Sequence, residues 1–375
     1  MTKAREPNAS SWVVYDSFYV WSSKVRGEKR NRNPMETSLP IRPLSLKQTL
    51  VFLIVLWLVC PLFAEESPPL ALKISIPLPN VEGRFDHAAA DPETHRLFFV
   101  ALGNNTLEIV DLSAGKRLHT ITGLKKPTGV LFLADLNLLI VANGDDGTCR
   151  FYDGASYAER GRIAGLDDAD NLRFDSKAKR VYVGYGDGAL GVIDPVTMRL
   201  TGSIPLTNHP ESFQLEDDGS RIFVNLPDAK QITVVDRAAA KVVATWPLED
   251  VRANFPMALD EKQHRLFVGC RQPARLLAFD TRSGKRVAET PIGSDVDDLF
   301  LDASTNRLLA SCGEGFIDVF RFDPSSGLTR THRLHTAAGA RTGILSWKYR
   351  RFCLAVPHRG AQGAELRVYT VSAPR

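Results

Sequence analysis

Cysteine is scarce in this sequence and follows no pattern. Five cysteines occur in 375 residues. None falls in a CxxC or CxxCH spacing, which excludes a paired-cysteine zinc site and covalent haem attachment. Cys149, Cys270, Cys312 and Cys353 read as small buried hydrophobes. Long hydrophobic runs are nearly absent too. Thr49–Ala64 spans 16 residues, short of the roughly 20 that a membrane helix needs. No long stretch keeps apolar residues at a 3.6-residue period, which argues against a helical fold. HxH, HExxH and GxSxG spacings are missing, so neither a metalloprotease signature nor a nucleophile elbow is present. No sign of charge dominates: 47 Lys and Arg stand against 43 Asp and Glu. Without a clustered basic face, nucleic acid is excluded as a partner.

What the sequence does have is repetition. Phe85–Leu124 contains four short apolar runs: Phe85–Ala90, Leu97–Ala101, Leu107–Val110 and Leu118–Ile121. Turn residues separate them: Asp91-Pro92, Gly103-Asn104-Asn105 and Asp111 to Gly115. Pro, Gly, Asp and Asn each stabilise a tight reversal, so the unit predicts a four-stranded meander. The Asp that closes its third strand recurs as Asp111, Asp153, Asp194, Asp236, Asp280 and Asp323, at intervals of 41 to 44 residues. The second strand recurs behind Arg96, Arg180, Arg221, Arg265, Arg307 and Arg351, with Leu138–Val141 filling the remaining place. A period of about 40–45 residues with four strands is that of propeller blades. The prediction is an all-β, seven-bladed β-propeller with four antiparallel strands per blade. Cys270 and Cys312 end the second strands of successive units, too far apart for a disulfide.

The seventh unit, Thr336–Val371, has only three strands. Its missing outer strand is predicted at the other end of the chain, over Leu72–Leu78. There Ser75-Ile76-Pro77-Leu78 repeats the outer strand Ser203-Ile204-Pro205-Leu206 letter for letter, and Trp246-Pro247-Leu248 is a near copy. The N-terminal strand thus closes the last blade, which leaves no broken blade in the ring.

The first 64 residues lie outside this logic. Residues 1–34 are read as a mis-called N-terminal extension. Residues 35–64 are read as a signal peptide, with Arg42 and Lys47 before an apolar run of cleavable length. Cys60 follows Trp57-Leu58-Val59, too poor a lipid-attachment box to infer a lipoprotein. The leader carries nine of the basic and four of the acidic residues, so residues 65–375 are nearly neutral. The expectation is a periplasmic or secreted monomer with no stable membrane span after cleavage.

Units such as Arg96–Ile121 resemble the YVTN-repeat, or YncE-like, seven-bladed propellers of exported bacterial proteins. The resemblance covers about Ala71 to Val371, although Phe99-Val100-Ala101-Leu102 and Ile140-Val141-Ala142-Asn143 replace the YVTN tetrapeptide itself. VEGRFDH at Val81, DDADN at Asp167, HPESFQ at His209, NFPMALDE at Asn254 and GARTG at Gly339 resemble a narrower branch of that group. The resemblance implies the fold and hardly constrains the activity.

In a propeller the links from an outer strand to the next inner strand share one face. Here those links carry Arg84, Asp86 and His87; Asp170 and Asn171; His209 and Glu211; Asn254; Asp297 and Asp298; and Arg341. Lys126-Pro127-Thr128-Gly129 alone lacks an acid, Asn or Arg. Asp86, Asp170 and Asp297 fall five residues before the acids that close their inner strands; His87, Asn171 and Asp298 fall four before. Three blades would therefore aim a carboxylate at one depth of the channel. Converging carboxylates need protons, cations or arginine partners. The opposite-face turns read as ordinary solvated hairpins.

These residues predict a channel mouth that binds a polar small molecule, a cation or a protein partner without catalysis. No cofactor is implied. Two alternatives are a metal-assisted lactonase or lyase working at the Asp and His residues, and an electron-transfer heavy subunit of a quinone-dependent dehydrogenase.

Overall fold

The computed structural model describes residues 68–346 and 348–372. The proposed extension and signal peptide lie outside them. Among the described residues, no helix is long and apolar enough to cross a membrane.

Among the described residues, twenty-eight strands form seven antiparallel sheets of four strands each. Blade 1 consists of Ala88–Asp91, Arg96–Ala101, Thr106–Asp111 and Lys116–Ile121, from inner to outer strand. Five more blades repeat this order. In blade 7, Leu70–Pro77 pairs antiparallel with Glu365–Val371 and supplies the outer strand. The predicted closure of the ring is therefore the observed one.

Side chains of a strand alternate between its two faces, and here both faces meet a neighbouring blade. Phe98 packs with Phe132 of blade 2, while Phe99 packs with Ile76, Phe85 and Ile344 at the junction with blade 7. The core is accordingly seven apolar wedges, one between each pair of adjacent blades. Ile76 is fully buried in the wedge that joins blade 7 to blade 1, whereas Ile74 is 41% exposed. The four cysteines are free and buried in these wedges or their strands.

In some blades the recurring Arg at the head of the second strand straps that blade to the next. Arg96 donates to the Gly154 carbonyl and the Tyr157 hydroxyl of blade 2 and also pairs with Asp91. Arg221 likewise reaches the Thr281 carbonyl of the next blade. The recurring Asp caps the turn that follows it. Asp111 accepts from the amides of Ser113 and Ala114 at 2.7 and 2.9 Å, and Asp153, Asp194, Asp280 and Asp323 repeat the pattern. These short Asx turns keep one face of the disk compact. The longer outer-to-inner links gather on the other face.

Candidate functional site

The inner strands set the site. Each begins its ladder with a repeated pair of bonds. The Asp86 amide donates to Val100 O and the Val100 amide returns to His87 O; Asp170, Asn171 and Gly184 repeat this, as do Glu211, Ser212 and Asn225. Glu211 therefore shares the depth of Asp86 and Asp170. Pairing in the other blades extends the level to Thr128, Phe255, Asp297 and Arg341, each five residues before the residue opposite the first residue of its second strand. The ring reads Asp86, Thr128, Asp170, Glu211, Phe255, Asp297, Arg341 in blade order. One step deeper lie His87, Asn171, Ser212 and Asp298, with Thr342 beside them.

These rings line a cavity of about 200 Å³ at the channel mouth. It contains Arg84, Asp86, His87, Asp170, Asn171, His209, Glu211, Asp297, Asp298 and Arg341, as the sequence predicts. Asn254 does not belong to it. A bulge between Asn254 and Met257 puts Phe255 at the mouth and turns Asn254 into the blade interface. There it is fully buried, and its amide donates to Asn225 Oδ1 and Gln231 O at 2.9 and 3.1 Å. Its role is to join blades 4 and 5.

The mouth has two unlike sides. On the side of blades 5 to 7 charge is matched. Arg341 Nε lies 2.8 Å from Asp297 Oδ2, and Arg271 grips the other Asp297 oxygen while donating to Val296 O at 2.9 Å. Both guanidinium groups also face Asp295. Arg271 is further held over the Phe255 ring, 4.0 Å from its centroid.

On the side of blades 3 and 4, Asp170 and Glu211 stand next to each other without such partners. Among the described residues, neither carboxylate accepts a hydrogen bond or forms an ion pair. Asp170 is only 9% exposed. Burial, reinforced by the charge of Glu211, pushes its carboxyl well above the usual range. Burial likewise lifts Glu211 to about 7; His209 opposes this, while Asp86 and Asp297 add to it. Asp298, buried beside His87 and Asp297, also rises to about 7. Burial should lower the His87 imidazole, but the hydrogen bond to Asp86 and the charges of Asp86, Asp170 and Asp298 outweigh it and raise it to about 10.

Both mouth histidines are oriented by backbone. His87 Nδ1 lies 2.9 Å from Thr128 O, and His209 Nδ1 lies 2.7 Å from Gly186 O. In His209 a donated Nδ1–H leaves Nε2 to face the cavity. Ligand atoms of Asp170, His209 and Glu211 lie within 4.8 Å of one another. Gly129 permits the close approach of the blade 2 inner strand to the Asp170 backbone, because a Cβ there would come within 2.2 Å of Asp170 O. The link that lacks an acid, Asn or Arg contributes as well: Lys126 lines the mouth and pairs with Asp168 at 3.0 Å.

Arg173, Arg271, Phe255 and Asp168 also line the mouth and were not foreseen. Counting back five residues from Glu216 and Asp260 would have found the register of Glu211 and Phe255. Arg271 ends a second strand, where no repeated residue signals a role.

No protein-family model matches the chain, and no curated protein sequence matches it. Solved structures do share its fold. A chain of the mitotic checkpoint complex aligns with a TM-score of 0.68 at 15% identity, covering 81% of this chain and 92% of that one. A chain of hydrazine synthase from Kuenenia stuttgartiensis aligns with a TM-score of 0.65 at 16% identity, covering 74% and 94%. At this identity the likeness is one of fold alone: the protein is a seven-bladed β-propeller.

Proposed function

We propose that this protein is an exported, non-catalytic propeller of the YVTN-repeat kind that binds a small positively charged ligand at its channel mouth. The observation that carries the reading is the unpaired Asp170–Glu211 side. Buried carboxylates that converge without partners are costly when charged. A bound cation offsets that cost, and the ligand gains the same interaction. The matched Arg271, Arg341, Asp295 and Asp297 group opposite supplies a rigid wall rather than a second binding charge. The cavity admits an ion with its waters or a molecule of a few heavy atoms. Export and monomeric state rest on the leader and on the resemblance of the repeats.

The test is thermal melting of the wild type and Asp170→Asn with calcium, manganese or 1,4-diaminobutane. At least one of these cations should raise the wild-type midpoint and raise that of the variant less. Equal responses of the two proteins to every cation would reject the reading.

A further inference from the structure

We propose that Asp170, His209 and Glu211 together hold one divalent transition-metal ion, each carboxylate giving an oxygen and His209 giving Nε2. The inference rests on the mouth being a cation site and names the class of cation.

Three independent features of the geometry lead here. The first is convergence. The three ligand atoms lie within 4.8 Å of one another. Three ligands about 2.0–2.2 Å from one ion lie roughly 3–4 Å apart. Side-chain rotations that move the ligand atoms by about 1 Å therefore close the site. The backbone under two of the ligands is already pinned: the Asp170 and Glu211 amides are bonded to the second strands of their blades.

The second is the preparation of the histidine. A metal-bound imidazole usually gives its other N–H to a carbonyl or carboxylate, which fixes tautomer and ring orientation. His209 does this with Gly186 O at 2.7 Å. The ring then offers Nε2, which lies 3.9 Å from Asp168 Oδ2. Asp168 is already engaged by Lys126. His87 differs: its Nδ1 faces both Thr128 O and Asp86, and it is not within the triad's ligand spacing.

The third is Asp170 itself. Its side chain is nine-tenths buried, lines the cavity, and makes no protein hydrogen bond or ion pair among the described residues. A buried acceptor is normally satisfied. Here the atoms that could satisfy it must come from the cavity. An organic ammonium ion could also donate N–H bonds to these atoms, so the choice of a metal ion rests on the convergence of the three ligand atoms and on the Nδ1 contact to Gly186 O that prepares Nε2. A metal ion uses all three. A mixed oxygen and nitrogen set favours manganese, zinc, nickel or copper over calcium and magnesium, which prefer oxygen alone. Three protein ligands leave further positions open toward the cavity, where water or a donor atom of a second small molecule completes the coordination.

The experiment uses the full chain stripped with a chelator and then dialysed. Zinc and manganese are titrated by calorimetry into the wild type, Asp170→Asn, Glu211→Gln and His209→Gln, with His335→Gln as a remote control. One equivalent should bind the wild type and the control alike. Each of the three ligand variants should weaken binding at least tenfold. Copper added to the wild type should show nitrogen coupling from one imidazole in its electron paramagnetic resonance spectrum. That measurement stands even if a variant does not fold.

Binding that is equally tight in folded ligand variants, a spectrum without nitrogen coupling, or no stoichiometric binding would each overturn the metal assignment. Stabilisation by 1,4-diaminobutane that depends on Asp170, in a protein that binds no metal, would overturn this inference while leaving the cation-binding mouth intact. Failure of both probes would remove both.

Discussion

The two faces of the disk use the same side chain in opposite ways. On the turn face, an aspartate recurs in six of the seven blades and accepts bonds from the turn that follows it. The Ser325 hydroxyl and the amides of Ser325 and Ser326 pull the Asp323 carboxyl down to about 2. Amides of Ser156 and Ala155 hold Asp153 below the usual range, and those of Thr197 and Val196 do the same for Asp194. On the mouth face, Asp170, Glu211 and Asp298 are pushed up instead, because desolvation disfavours their charge and neighbouring carboxylates add to it. Repetition alone therefore does not identify a function. The distinction lies in whether the donors come from the protein: turn carboxylates hold the fold together, and at the mouth, among the described residues, Asp170 and Glu211 lack such donors whereas Asp297 and Asp298 have them.

Four changes would break or sharpen this contrast. The largest effect concerns the scaffold that keeps the faces apart. Ile76→Asp puts a charge into the closing wedge and should cost at least about 4 kcal/mol, or prevent folding. Ile74→Asp, on an exposed position, should stay within about 0.5 kcal/mol. Denaturant melts of the two variants check this; equal losses would mean that the ring is not closed by this strand.

Next, neutralisation should act with opposite sign on the two faces. Glu211→Gln should stabilise the cation-free protein at pH 8, on the order of 1–3 kcal/mol, by removing a strained charge. Asp323→Asn should lower the melting temperature at the same pH, because the turn loses its acceptor charge. A destabilised Glu211→Gln protein would place Glu211 among the structural acids.

The pH dependence follows the same division. Glu211 and Asp298 bind protons more tightly in the folded state. Their stabilisation is present below the ordinary carboxylate range and is lost as pH climbs to about 7. Asp323 contributes above the ordinary range, and its contribution is lost as pH falls towards 2. His87 contributes below the ordinary imidazole value, and that contribution is lost as pH rises through about 10. The cation-free protein should therefore melt highest near pH 4 to 5 and decline towards pH 8. The double variant Glu211→Gln, Asp298→Asn should flatten that decline, which a series of calorimetric scans would show.

The smallest effect is that of Asn254→Ala. Loss of its bonds to Asn225 and Gln231 should cost about 1–2 kcal/mol and leave cation affinity unchanged. A change in affinity would return Asn254 to the mouth.

Most of the fold was legible in the sequence because a propeller writes its period into the chain. The closing Asp and leading Arg residues mark strand ends, and the repeated Ser-Ile-Pro-Leu marks the strand that closes the ring. The mouth was legible where the same count applied, at Asp86, Asp170 and Asp297. It was obscured in blade 4, where Glu216 rather than Asp closes the inner strand and Glu211 lost its register. Asn254 failed for a different reason. A bulge shifts side-chain alternation by one place, and no local residue pattern announced it. Of the two arginines that neutralise Asp297, Arg341 was legible at the mouth, whereas Arg271 was not, since it comes from a neighbouring blade and only three-dimensional packing brings it there.

The most direct test of the account is a calorimetric melt of wild type and Asp170→Asn at pH 8, each stripped of metal and then supplied with manganese. The account predicts that the stripped variant melts above the stripped wild type, and that manganese raises the wild type while leaving the variant nearly unmoved. A stripped variant that melts below the wild type, with both proteins indifferent to manganese, would make Asp170 a structural acid and contradict the claim.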